Sequence, residues 1–357
     1  MKLRVNRRNK MKKIFITVSL ILILYVSQAY SQSKNIFFLF PFYMPETSLG
    51  LVFTDILHFK KDEQKHFSSL NLFALYTLKN QFSIGAAPSI YFDNQNYLLE
   101  GKLIYTNFLR KFYGVGNNTD KDDEEEFINR SHGFGIGFSR KIVEKFMFGV
   151  QYDLSDMTMQ DTDDDGMLQY CKTNGVISGF GFKANFDTRD SNIYPTKGVL
   201  IRADYILYNN RFGSKYNYSK TKFDFRNYFY IYEKKLLFSY QFYSEFINGE
   251  SPIQTLPSIG GSNLLRGFYA NRFVDNILLT LQPELKIKIT NSIWLALFTG
   301  VGNVYNRLED IDLTKIKTAT GLGMRMKIKD SPRMNFRIDF ACSNESHGTY
   351  FTLMEAF

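Results

Sequence analysis

Few residues of this chain are spaced for bond-making chemistry. The four histidines, His58, His66, His132 and His347, show no metal-ligand spacing such as H-E-x-x-H. There is no G-x-S-x-G nucleophile elbow and no glycine-rich phosphate loop between a strand and a helix. Cys171 and Cys342 are too few and too far apart to indicate a disulfide framework. Asp161-x-Asp163-x-Asp165-Gly166 begins as a calcium loop does, with alternate carboxylates before a glycine. Its twelfth position is Lys172, where a bidentate glutamate is needed. A solvated acidic loop accounts for it better, as it does for the run Asp120-Lys121-Asp122-Asp123-Glu124-Glu125-Glu126. The expectation is a protein that is not an enzyme and uses no cofactor or metal.

One segment stands apart: Gly260-Gly261-Ser262-Asn263-Leu264-Leu265-Arg266-Gly267-Phe268. Arg carries a planar fork that meets a carboxylate with two hydrogen bonds, and Gly267 permits a tight backbone beside it. On residue type alone, Arg266 reads as a solvated loop arginine.

The elements that position this segment are strands. Over 277–289, Leu279, Leu281, Pro283, Leu285, Ile287 and Ile289 alternate with Thr280, Gln282, Glu284, Lys286 and Lys288. The same period of two recurs in 320–328 and 334–341, where Met334, Phe336, Ile338 and Phe340 oppose Asn335, Arg337, Asp339 and Ala341. Alternation alone fits a soluble sandwich with its apolar face inward, or a membrane barrel with its apolar face on lipid and its charges in a wet lumen. Strands are expected near 36–43, 47–58, 67–78, 81–92, 97–110, 129–141, 145–158, 174–188, 198–208, 218–232, 235–246, 276–289, 292–304, 317–328, 333–342 and 348–357. An even set of about sixteen puts both ends on one side. Connections on that side are short, at 141–145, 232–235, 289–292 and 329–333, whereas 111–128, 159–173, 247–275 and 305–316 on the other side are long and polar. That asymmetry is the one expected of outer-membrane barrels. The last residue, Phe357, reads as a terminal aromatic closing the final strand and serving as a C-terminal assembly signal, with Glu355 interrupting its apolar stripe.

Composition agrees. The 357 residues are 44% apolar and 17% aromatic, with 35 Phe and 23 Tyr, which excludes disorder and collagen-like repeats. The net charge of +9 suggests nucleic acid until it is located: seven of the 44 basic residues lie in 1–29, which holds no acid, leaving 37 against 35 acids. That segment has a cationic start, an apolar core over 14–26 and the small-x-small site Ser27-Gln28-Ala29, so it reads as a signal peptide cleaved after Ala29, with Met1 or Met11 as the start. A membrane anchor is the other reading, but its apolar core falls short of the roughly 20 residues a spanning helix needs. The rest, 30–357, is expected to be one barrel domain with no nucleic-acid partner.

Several blocks resemble the bacterial surface antigen superfamily, the BamA/TamA-like outer-membrane barrels. The segment ending Leu265-Arg266-Gly267-Phe268 is similar to its lid-loop signature V/L-R-G-F/Y, with Gly260 and Gly261 in the same loop. Phe186-Asp187-Thr188-Arg189-Asp190, followed by Tyr194-Pro195-Thr196-Lys197-Gly198, resembles its DTRD…YPTKG turn. Glu284-Leu285-Lys286, Gly300-Val301-Gly302-Asn303-Val304-Tyr305 and Arg337-Ile338-Asp339-Phe340-Ala341 are similar to three of its strands, and Tyr113-Gly114-Val115-Gly116-Asn117 to a block of small members. The resemblance covers roughly 36–357 and implies an all-β transmembrane antiparallel barrel of about sixteen strands. It also implies an inward-folding extracellular lid loop, Arg266 held by acids of the lumen wall, Phe268 packing the lid, and a weak seam between first and last strands. Glu284 lies on the lumen parity and is the first partner. The family's second acid falls at Gly300, which has no side chain, and Asp339 is the substitute expected from a neighbouring polar face. The periplasmic polypeptide-transport-associated (POTRA) domains of larger members are not expected, for want of room.

The resemblance further implies a place in the outer membrane of a Gram-negative bacterium and a role in inserting, assembling or translocating proteins or lipid-linked components there. Expected partners are outer-membrane lipids, client outer-membrane proteins and separate periplasmic proteins. A structural or docking subunit of a larger complex, a passive pore and, more distantly, a soluble secreted β-protein are the alternatives.

Overall fold

The computed structural model describes residues 33–59, 68–161, 166–171, 173–328 and 335–357. The expected signal peptide lies outside them, as do most of the calcium-like loop and the 329–333 turn.

The strands are β1 (Ser33–Met44), β2 (Ser48–Phe59), β3 (Ser68–Thr77), β4 (Phe82–Phe92), β5 (Tyr97–Phe112), β6 (Glu125–Val143), β7 (Phe146–Asp161), β8 (Gly175–Asp187) and β9 (Gly198–Tyr208). They continue with β10 (Tyr218–Tyr232), β11 (Leu236–Gly249), β12 (Ser258–Ile259), β13 (Phe273–Val274), β14 (Ile277–Lys288), β15 (Ile293–Tyr305), β16 (Lys317–Lys327), β17 (Asn335–Ser343) and β18 (His347–Leu353). All but β12 and β13 form one closed antiparallel barrel of sixteen strands in which neighbours in sequence are neighbours in space. Those sixteen match the expected strands to within a few residues.

The faces settle what alternation left open. On β14 to β17, Leu281, Leu295, Leu297, Leu322 and Phe340 are exposed, whereas Glu284, Arg325 and Asp339 on the opposite faces are almost completely shielded. Apolar side chains outside and charged ones inside is the pattern of a barrel in lipid. Proline marks the ladder's weak points. The β14–β15 register skips Gln282 and Pro283, and that of β4–β5 skips Ala87 and Pro88, because proline has no N–H to give.

The barrel closes through its thinnest contact. β5 and β6 are in register along their full overlap, from Tyr97↔Arg140 to Phe112↔Glu125. β17 and β18 share the run from Phe336↔Leu353 to Cys342↔His347. β1 and β18 share one pair, Tyr43↔Phe351, so, among the described residues, 33–42 of β1 are paired with β2 alone.

The C-terminus differs from expectation. β18 ends at Leu353, Met354 takes a left-handed φ of 66°, and its N–H donates to the Asn335 carbonyl (2.9 Å). Phe357 is therefore buried outside any strand and does not close the last one. Glu355 does not interrupt a lipid-facing stripe, because the reversal at Met354 sends it inward.

Loops on the side away from the termini are packed into a cap. Phe112, Phe127, Leu168 and Val274 form one apolar cluster there. Glu125 accepts hydrogen bonds from the backbone N–H groups of Met167 and Leu168, tying the β7–β8 loop to β6. On the terminal side, Asp190 accepts from the Thr196 N–H (2.8 Å) and hydroxyl (2.7 Å), and Asp187 takes a forked pair from Arg189. The DTRD…YPTKG segment is thus a tied loop whose Tyr194 ring lies 5.3 Å from Lys286 Nζ.

Candidate functional site in the barrel lumen

The connection from β11 to β14 is drawn into a hairpin by β12 and β13, paired at Ser258↔Val274 and Ile259↔Phe273. Its tip turns on Gly260 (φ 110°) and Gly261 (φ 95°), and the Gly261 N–H donates to the Phe268 carbonyl (3.1 Å). Leu265 and Phe268 are fully buried with Ile259, Phe273, Leu278 and Val304. This small core holds the tip inside the barrel, where burial of side chains this large stabilises by about 1.5–3 kcal/mol each.

Arg266 is the point of the tip. Its Nη2 donates to Glu284 Oε2 (2.8 Å) and its Nη1 to Asp339 Oδ2 (2.6 Å). Its plane lies 3.5 Å from the Phe298 ring centroid, a cation–π contact out of bulk water. Gly300, where the second acid is expected, borders Gln282 and Leu265, which a Cβ there would meet at an ordinary contact distance of 3.6 Å. Asp339 supplies the carboxylate from β17 instead.

The cluster is larger than the motif indicated. Arg325 reaches three carboxylates, Asp339 through Nη1, Glu284 through Nη2 (3.1 Å) and Glu355 through Nε (3.2 Å). Lys286 Nζ lies 3.1 Å from Glu355, and Asn335 Nδ2 donates to it at 2.9 Å. Arg337 donates to Thr352 Oγ1 (2.7 Å) and to the Ser262 carbonyl of the loop (2.9 Å). Four cations and three carboxylates so link the loop tip, the wall and the tail after β18. In the sequence Arg325 is legible only as a member of a polar face, whereas Lys286 and Arg337 also stand in blocks that resemble the family. Glu355 departs from the stripe its parity predicts, because its place depends on the backbone reversal at Met354.

The backbone is fastened as well. The Gly267 N–H donates to Tyr350 Oη (3.1 Å), and its carbonyl accepts from Ser346 Oγ (2.6 Å) and Ser343 Oγ (3.2 Å). Gly267 has φ 114°, and a Cβ there would stand 2.9 Å from the Cys342 carbonyl carbon. Gly267→Ala is therefore expected to push the tip off β17 at a cost of about 1–3 kcal/mol, read as faster proteolysis within 260–271 of an otherwise folded barrel. At the rim, Tyr269 Oη donates to the Pro45 carbonyl (2.9 Å) and the Ala270 N–H to Glu46 Oε1 (2.8 Å). Burial pushes the Glu46 carboxyl above its ordinary value, although backbone hydrogen bonds and Lys79 partly offset this. Arg272 bonds Thr119 Oγ1 (2.9 Å) and lies 2.6 Å from Glu345.

The arrangement thus brings Gly260, Gly261, Arg266, Gly267, Phe268, Glu284 and Asp339 together and leaves Phe357 apart. Each of its carboxylates is answered by at least two cations of the cluster, which makes it a fastening of loop to wall.

The Omp85 superfamily domain matches residues 68–353. The fold is similar to the structure of BamA from Haemophilus ducreyi lacking POTRA domains 1–3, with a TM-score of 0.64 and 12% identity over 90% of this chain and 70% of that one. It is also similar to CdiB from Acinetobacter baumannii (TM-score 0.57, 13% identity, 90% of this chain and 59% of that one). CdiB from Escherichia coli gives a TM-score of 0.60 and 11% identity over 88% of this chain and 62% of that one. At such identities the likeness is one of fold. No curated protein matches the sequence.

Proposed function

The chain belongs to the Omp85 superfamily, and from that premise we propose that it assists the insertion, assembly or translocation of proteins at the outer membrane of a Gram-negative bacterium. The observation that carries this reading is the seam. With one register pair between β1 and β18, residues 33–42 keep an edge that no barrel strand covers. Unpaired backbone groups are costly in lipid, so such an edge favours pairing with a client strand. The loop held by Arg266 fills the lumen meanwhile and directs traffic to the wall. The action makes and breaks no covalent bond. Its partners are outer-membrane lipids and client proteins, with separate periplasmic proteins delivering the clients.

Depleting the protein in its host and following the outer-membrane proteome over time tests the proposal. Selective loss of particular barrels or surface lipoproteins is the expected result and names the clients. An unchanged proteome together with one stoichiometric partner on gentle purification would replace it with a docking-subunit role. A passive pore is disfavoured by the packed loop and would require large, steady single-channel conductance.

A further inference from the structure

The outward face beside the seam contains one residue that does not suit it. Along the hydrogen-bonded row that crosses the first strands, Phe37 is opposite Asp55, Asp55 opposite Leu72, Leu72 opposite Ala86, Ala86 opposite Leu103 and Leu103 opposite Phe134. Asp55 is the one ionisable side chain in that row. Its parity on β2 is that of Leu49 and Leu51, both about half exposed, and the facing β1 residues Phe37 and Leu39 are about 60% exposed. This is the surface that meets lipid as far as Asp55, and Leu57, next on the same parity, is buried. Asp55 makes no hydrogen bond or ion pair among the described residues, and its Oδ1 is shielded without a partner. A carboxylate in such surroundings is costly unless something answers its charge.

What lies beside it is the open edge. Phe37 belongs to the stretch of β1 that pairs with β2 alone. We infer that Asp55 selects client strands carrying a lysine or arginine on their lipid-facing side opposite Phe37. This rests on the edge-pairing reading above and names a feature of the client. A strand added to β1 stands two strand spacings from β2, about 9.6 Å. The four-carbon stem of a lysine and the aspartate side chain together bridge a gap of that order. The Phe37 ring leans toward Phe53 (centroids 5.0 Å apart, edge-on), so a long stem can cross beside it with its cation near the ring. In lipid the pair satisfies both charges, and a strand with an apolar residue at that position leaves Asp55 unanswered.

The test uses the full chain in phosphatidylcholine vesicles and two synthetic ten-residue peptides of alternating apolar and polar residues. They are identical except for Lys or Met at one central apolar-face position, and each carries a photo-crosslinker. Wild-type protein is expected to capture the Lys peptide about five-fold better than the Met peptide, with crosslinks mapping to β1. Asp55→Asn should bring that ratio to about one with Met-peptide capture unchanged, and Asp55→Glu should keep the preference. Equal capture by wild type, or an undiminished preference in Asp55→Asn, overturns the role of Asp55 and leaves the edge standing. Capture of neither peptide by any variant overturns the edge-pairing reading itself.

Discussion

Alanine at Arg325 is expected to destabilise the barrel by about 3–5 kcal/mol, more than alanine at Arg266, even though Arg266 is the residue the motif singles out. The reason is the number of carboxylates each one answers. Removing Arg266 leaves Glu284 and Asp339 still bonded to Arg325, and Glu355 still bonded to Arg325 and Lys286. Removing Arg325 takes one cation from all three at once and leaves Glu284 and Asp339 to Arg266 and Glu355 to Lys286, so the buried network loses the one group that joins the wall to the tail. The two variants should also fail differently. Arg266→Ala should free the loop, seen as protease cutting within 260–271, while the barrel keeps its compact mobility on an unheated gel. Arg325→Ala should lower the unfolding midpoint of the barrel itself and release the tail after Leu353. An Arg266→Ala variant less stable than Arg325→Ala would show that the loop contact, and not the three-carboxylate junction, organises the lumen.

The second large effect concerns the seam. A disulfide between Tyr43→Cys and Phe351→Cys, in a background with Cys171 and Cys342 replaced by serine, is expected to reduce client insertion at least tenfold and to be reversed by reductant. Directly opposed residues of an antiparallel pair have Cα atoms about 4.5–5.5 Å apart, within disulfide reach. A bond there pins the one register pair that joins β18 to β1, so an added strand can no longer separate them. The same cysteines placed at Phe340 and Thr349, opposed across β17 and β18, should have little effect, because that pairing is continuous. Insertion rates measured in vesicles with and without reductant decide it, and an unaffected oxidised Tyr43–Phe351 variant would place client entry elsewhere.

How much of this was legible in the sequence depended on how local the cause was. The two faces of β14, β16 and β17 follow from alternation, since neighbouring side chains on a strand point opposite ways, and the loop asymmetry and the family resemblance that point to a barrel then put Glu284 and Asp339 on the lumen side. β1 was visible as a strand but not as a pair of faces. Residues 36–43 are apolar on both parities, with Phe42 buried inward and Phe37 exposed outward. The thinness of the β1–β18 contact had no local signature, because it depends on the offset between strands some three hundred residues apart in sequence. Arg325 looked like any charged wall residue, since what distinguishes it is the convergence of three chain segments. Glu355 followed a strand whose end is set by a single left-handed residue, Met354, of a type that does not announce one.

The exchange of Gly300 for Asp339 changes the leverage on the loop. A carboxylate on β15 would tie the tip to a strand set between β14 and β16, away from the closure of the barrel. On β17 the tie falls on the strand that β18 hangs from, and Tyr350 of β18 itself holds Gly267. Any tilt of the last hairpin away from β1 therefore pulls on the loop tip, and any withdrawal of the tip loosens that hairpin's inner face. The loop and the seam share one frame, so a ligand or a neighbouring protein gripping the outer loops has a mechanical handle on the wall.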